Sequence, residues 1–101
     1  MGYGIMDDVK GRSQLITYMV LINPDETLRD VEILIYRESI GGEISNESFR
    51  RQFVLKKYSD DLTLGSGIKN ISGATISARA ITNGVRKLVA AFHVLEVQLP
   101  K

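Results

Sequence analysis

A chain of 101 residues with 44% hydrophobic and 25% charged side chains has the length and composition of a single globular domain. Thirteen basic against twelve acidic residues leave a formal charge of +1, which excludes the strong basic excess of a non-specific nucleic-acid binder. With no cysteine there is no disulfide, thiolate nucleophile or thiolate-held metal, and no apolar run approaches the roughly 18 residues of a membrane span.

The opening residues, Met1 to Gly4, have no positive start leading into an apolar stretch, so they do not read as a secretory leader. Residues 3–9 are a candidate strand weakened by Gly4, Asp7 and Asp8. Residues 14–22 are rich in β-branched and aromatic side chains and predict a strand covered on both faces. Asn23, Pro24, Asp25 and Glu26 supply the chemistry of a reversing turn. Over residues 28–36, Val31, Ile33 and Ile35 alternate with Asp30, Glu32 and Leu34, the period-two pattern of a strand that completes an antiparallel hairpin.

Beyond Gly41 and Gly42, Ser45 reads as a helix N-cap, with Ile44 and Phe49 spaced as a hydrophobic staple. The spacing predicts a helix over residues 46–57, with Phe49 and Phe53 on one face and Arg50, Arg51, Lys56 and Lys57 forming a wet face. Residues 58–70 read as a loop. The clearest helix runs through Ile76, Ala80, Ile81, Val85, Leu88, Val89 and Phe92, ending at His93, a cation at the helix terminus. Residues 94–99 read as a final short strand or a tail. The expected fold is α+β, a small antiparallel sheet packed against two helices, as one domain over residues 1–101.

Ser72, Gly73, Ala74 and Thr75 stand where loop becomes helix. Free amides and the positive end of the helix dipole suit an anion there. Gly73 and Ala74 let a large group approach the backbone, and the hydroxyls of Ser72, Thr75 and Ser77 can carry a phosphoryl group. A dipole contribution of only about 0.3–1 kcal/mol does not retain a ligand by itself, so tight retention calls for a covalent bond. The bland alternative is that this segment only caps the helix.

The stretch from Ile68 to Val89 resembles the FMN-binding domain of the G subunit of Rnf complexes and of the C subunit of sodium-pumping NADH:quinone oxidoreductase. In that family a Ser/Thr-Gly-Ala-Thr motif takes FMN on its threonine through the phosphate, and the matching residue is Thr75. Residues 36–44 resemble the family's Glu-and-Gly loop near the flavin, which implies that Glu38, Ser39, Gly41 and Gly42 lie close to the ring or ribityl chain. Phe49, Gln52 and Phe53 resemble its Phe-x-x-Gln-Phe helix.

The resemblance implies an electron carrier rather than an enzyme with its own small substrate. Its implied partners are a magnesium-dependent flavin transferase using FAD and a redox protein or membrane electron-transport complex. The implied location is the outer face of the cytoplasmic membrane or the periplasm, with a leader or anchor lost from the chain. Lys69 departs from the pattern, standing where the family commonly has an acidic residue. That departure leaves open non-covalent FMN, or a non-redox binding or regulatory domain without flavin. A third reading makes Thr75 or Ser77 a hydrolase nucleophile with His93, the chain's one histidine, as base.

Overall fold

The computed structural model describes residues 2–38, 42–71 and 73–98. Three strands, β1 (Tyr3–Lys10), β2 (Leu15–Ile22) and β3 (Leu28–Tyr36), precede a short helix α1 (Glu47–Arg50) and a long helix α2 (Thr75–Gln98). Two 3-10 turns, Gly42–Ser45 and Arg51–Phe53, flank α1. The sheet has the order β1-β2-β3, antiparallel throughout, so the fold is the expected α+β arrangement. The segment expected weakly at residues 3–9 is a full edge strand, because eight consecutive residues pair with β2 from Tyr3↔Ile22 to Lys10↔Leu15. Backbone pairing there outweighs the poor strand propensity of Gly4, Asp7 and Asp8.

Strand β2 alternates: Ile16, Tyr18, Val20 and Ile22 are buried, whereas Thr17, Met19 and Leu21 are half-buried and Leu15 is exposed. The expectation of two covered faces is therefore corrected. One face meets α2 and the segments around α1, and no described element packs across the other. The turn after β2 forms as its sequence predicts, with the Glu26 amide donating to the Asn23 carbonyl at 2.9 Å and the Thr27 amide to Asp25 at 3.0 Å.

In β3 the pairing register shifts twice, leaving Arg29 unpaired between Leu28 and Asp30 near the start of the strand and breaking the expected alternation again near its end. Tyr18 pairs with Ile33 but Thr17 pairs with Ile35, leaving Leu34 as the extra residue of a bulge. A bulge reverses the inside–outside phase of the residues beyond it. Ile33 accordingly packs on the core, Ile35 is turned outward, and Tyr36 is turned inward against the core and α2.

The helix expected over residues 46–57 is cut short and only partly α-helical. One α-helical turn, Glu47–Arg50, tightens into the 3-10 turn Arg51–Phe53, and its N-cap is Asn46 rather than Ser45, which belongs to the preceding 3-10 turn. The chain then leaves the helix at Val54, and Leu55 takes φ +67°. The edge of β3 captures it: Leu28 donates to the Lys56 carbonyl and Leu55 donates to the Leu28 carbonyl, both at 2.7 Å. Two strand-like backbone bonds replace the helical ones that residues 54–57 would have made. Ile44, Phe49 and Phe53 nevertheless reach the core as the spacing required, with the two phenylalanine rings edge to face at 5.5 Å. Arg50 is not simply wet, since it pairs with Asp30 at 3.1 Å.

Residues 58–70 form a loop anchored by buried Leu62 and Ile68. Helix α2 lays Ala78, Ile81, Val85 and Val89 on the sheet. The approach is tight at Gly84, where an added Cβ would stand 2.5 Å from the Tyr18 hydroxyl and 2.8 Å from Val9. The helix continues to Gln98, which corrects the strand or tail expected at residues 94–99; Leu99 itself lies outside the described residues. His93 is therefore inside the helix, hydrogen-bonded to Glu26 at 2.6 Å and stacked on Tyr58 at 3.6 Å between ring centroids, rather than ending it.

Candidate functional site

A cleft of about 620 Å³ opens between the β1–β2 turn, the end of β3 and the start of α2, lined by Arg12, Ser13, Gln14, Arg37, Glu38 and residues 73–77. Its size falls within the roughly 300–1,000 Å³ of ordinary ligand sites.

The helix side of the cleft is built by backbone geometry. Gly73 has φ +87°, a conformation that favours glycine because a Cβ is strained there. The Ala74 amide closes the turn onto the Ile71 carbonyl at 3.1 Å, and the Ala74 carbonyl accepts the first helical bond from Ala78 at 2.8 Å. Ala74 is therefore the cap residue, and the amides of Thr75, Ile76 and Ser77 precede the first intrahelical donor. Ala74 and Ser77 are buried, while Thr75 and Ile76 are exposed. Ser77 is tied to the sheet through a 2.9 Å hydrogen bond between its hydroxyl and that of Tyr36. The bulge at Leu34 thus has a local consequence, because turning Tyr36 inward lets it fix the start of α2 against β3.

The opposite wall is organised by Glu38. Its carboxylate accepts the backbone amides of Arg12 at 3.1 Å, Gln14 at 3.2 Å and Ser13, together with the Ser13 hydroxyl at 2.9 Å. Partial desolvation pushes the Glu38 carboxyl up, but the hydrogen bonds from Ser13, Arg12 and Gln14 outweigh it and hold the group below its ordinary value. Glu38 therefore lines the cleft with its carboxylate oxygens engaged by the turn. Arg37 donates from Nη1 to the Leu15 carbonyl at 2.6 Å. Arg12 and Arg37 outnumber the Glu38 carboxylate by one charge in the lining, and with the helix start they give the cleft a cationic bias that fits a phosphate-bearing ligand.

Thr75 has a second support. Asn70 donates from Nδ2 to Thr75 Oγ1 at 2.8 Å. Gln52 holds the residue before Asn70 at two points, accepting from the Lys69 amide at 2.6 Å and donating to the Lys69 carbonyl at 3.2 Å.

The structure thus brings together Gly73, Ala74, Thr75, Ser77 and Glu38 from the residues singled out in the sequence. Ser72, Ser39 and Gly41 lie outside the described residues, and Gly42 opens the 3-10 turn Gly42–Ser45. Arg12, Ser13, Gln14, Arg37 and Asn70 were not anticipated. No local motif marks Arg12 or Arg37, because only strand pairing carries them to a helix start far along the chain. The hydrolase reading is overturned: Thr75 and His93 stand at separate places on one continuous helix, roughly 27 Å apart at 1.5 Å per residue. Among the described residues no group of three His, Asp or Glu side chains is placed to hold a metal ion.

A family model described as an FMN-binding domain matches residues 11–90, which includes both walls of the cleft. The chain is also 36% identical over 97 residues to the G subunit of the proton-translocating ferredoxin:NAD(+) oxidoreductase complex of Clostridium ljungdahlii, a match covering 88% of this chain and 52% of the relative. The chain thus spans about half the length of that relative.

Proposed function

The chain belongs to the FMN-binding domain family, and from that premise we propose that it carries FMN as a phosphoester on Thr75 and serves as an electron carrier in a membrane-associated redox complex. Bound FMN supplies the electron chemistry through its isoalloxazine ring, while the protein sets its position and electrostatic surroundings. The residues of the chain hold its phosphate end. Gly73 lets the backbone turn beneath the phosphate, the first amides of α2 donate to it, and Arg12 and Arg37 offset its charge from across the cleft. Ser72 belongs to the same motif, and Glu38, Ser39, Gly41 and Gly42 belong to the ring or ribityl side.

The observation that carries this reading is the exposed Thr75 hydroxyl at the first position of α2, opening on a cleft that also holds Arg12 and Arg37. The partners are a flavin transferase that installs the flavin and a membrane redox complex of the Rnf type, a reading supported by the relative's place in a ferredoxin:NAD(+) oxidoreductase complex. The proposed location is the outer face of the cytoplasmic membrane. No described helix is long and apolar enough to cross a membrane.

The test is intact mass after co-expression with a flavin transferase. The native chain gains the mass of one esterified FMN and turns yellow, whereas Thr75→Val does neither. An unlabelled native chain beside a labelled control carrier defeats the covalent proposal. Lys69, exposed just before the motif, favours a second reading in which the domain is a flavin-free binding module. Lys69→Asp discriminates, since restoring the family's acidic residue speeds labelling if the site is a working acceptor and leaves it at zero if it is not.

A further inference from the structure

We propose that Asn70 presents the Thr75 hydroxyl for phosphoryl transfer and that Gln52 positions Asn70 through the Lys69 backbone, an inference that rests on the covalent reading above. A threonine side chain at the first position of a helix has three staggered rotamers to choose from, and only some of them turn Oγ1 toward a ligand in the cleft. The 2.8 Å bond from Asn70 Nδ2 selects one. Asn70 is itself exposed, so its side chain needs a fixed backbone to act as a reliable donor. Gln52 provides this, because its amide oxygen takes the Lys69 N–H and its amide nitrogen gives to the Lys69 carbonyl. Two bonds to one residue set the orientation of the peptide that leads into Asn70.

The direction of the Asn70 bond matters chemically. A hydroxyl has one proton and two lone pairs. Asn70 occupies one lone pair and leaves the other, with the proton, free. The free pair forms the bond from Oγ1 to the FMN phosphorus of a flavin dinucleotide. The pyrophosphate P–O bond breaks, AMP departs with the bridging oxygen and its electron pair, and the hydroxyl proton passes to a base on the transferase. No atom changes oxidation state. An acceptor at residue 70 would instead compete for the proton and fail to orient the attacking pair. This network also gives Gln52 of the Phe-x-x-Gln-Phe segment a role in the site, although it is remote from Thr75 in sequence.

The experiment follows flavin transfer to the whole chain by intact mass over time, with purified transferase, FAD and magnesium. It compares native protein, Asn70→Ala, Asn70→Asp and Gln52→Ala. Loss of orientation alone is expected to lower kcat about tenfold or more in Asn70→Ala. KM for the carrier stays within about twofold and Tm within about 2 °C, because an exposed side-chain bond contributes little to stability. Asn70→Asp, which keeps the shape and removes the donor, is expected to be equally slow, and Gln52→Ala to fall between. A native kcat in Asn70→Ala or in Asn70→Asp overturns the donor role, as does a slow variant whose loss is matched by a fall in Tm or lies wholly in KM. If the native chain itself takes no flavin while a control carrier does, the covalent reading fails as well, which separates the two failures.

Discussion

Glu38 shows how one side chain decides the shape of a site it need not touch chemically. A carboxylate that collects three amides and a hydroxyl from residues 12–14 holds the β1–β2 turn against the end of β3, and Arg12 comes to the cleft by that means. Because the folded group titrates below its ordinary value of 4.5, its contribution to stability is complete above that value and is lost as pH falls through the lower folded value. Glu38→Gln is therefore expected to lower the denaturant midpoint at pH 7, with the gap to the native chain closing as the pH drops below 4.5. A gap that stays constant from pH 7 to pH 3 would show that the charge is irrelevant to the turn. The resemblance pointed to Glu38 as a neighbour of the flavin; its bonds to the turn rest on pairing between segments 24 to 26 residues apart, which no local pattern encodes.

At the scale of elements, α2 was legible because its apolar positions repeat over many turns, and α1 was not because a competing partner took its last residues. The contest is local and physical. Residues 54–57 have acceptable helix propensity, but the free edge of β3 offers Leu28 as both donor and acceptor, and an unpaired strand edge is a strong claimant for backbone groups. The seat of α2 on the sheet depends on Gly84. Gly84→Ala gains about 1 kcal/mol of helix propensity, yet the new methyl meets Tyr18, which is buried and whose hydroxyl donates to Asp7 at 3.2 Å. Overpacking of about 1–3 kcal/mol wins, and differential scanning calorimetry should show Tm falling by several degrees, at roughly 4–8 °C per kcal/mol for a domain of this size. A Tm equal to or above native would mean that α2 can lift off Tyr18 without penalty.

For the molecule as a whole, extended to 45 × 24 × 19 Å, α2 links two separate pieces of chemistry. Its first turn carries the candidate site, while His93 near the other end bonds to Glu26 and stacks on Tyr58. Glu26 makes this contact from the hairpin turn, with φ +71°. Removing the clasp with His93→Ala is expected to cost about 1 kcal/mol, read as a lower Tm. The rate of flavin transfer to Thr75 should not change, since effects at sites farther apart than about 10 Å add independently. A coupled loss of transfer in His93→Ala would show that the far end of α2 governs the site.

Periodicity and local chemistry belong to the chain, and they determined the turn at Asn23–Glu26, strand β3, most of α2, the core positions of Phe49 and Phe53, and the glycine-bearing motif that ends at Thr75. These features are readable because each depends on residues a few positions apart. The bulge at Leu34, the shortening of α1, the inward turn of Tyr36 onto Ser77, the approach of Arg12 and Arg37 to the helix start and the hold of Asn70 on Thr75 were decided only by tertiary structure. Each of them is a competition or a meeting between distant segments, in which the burial and hydrogen bonds gained across the fold outweigh the preference of the local sequence.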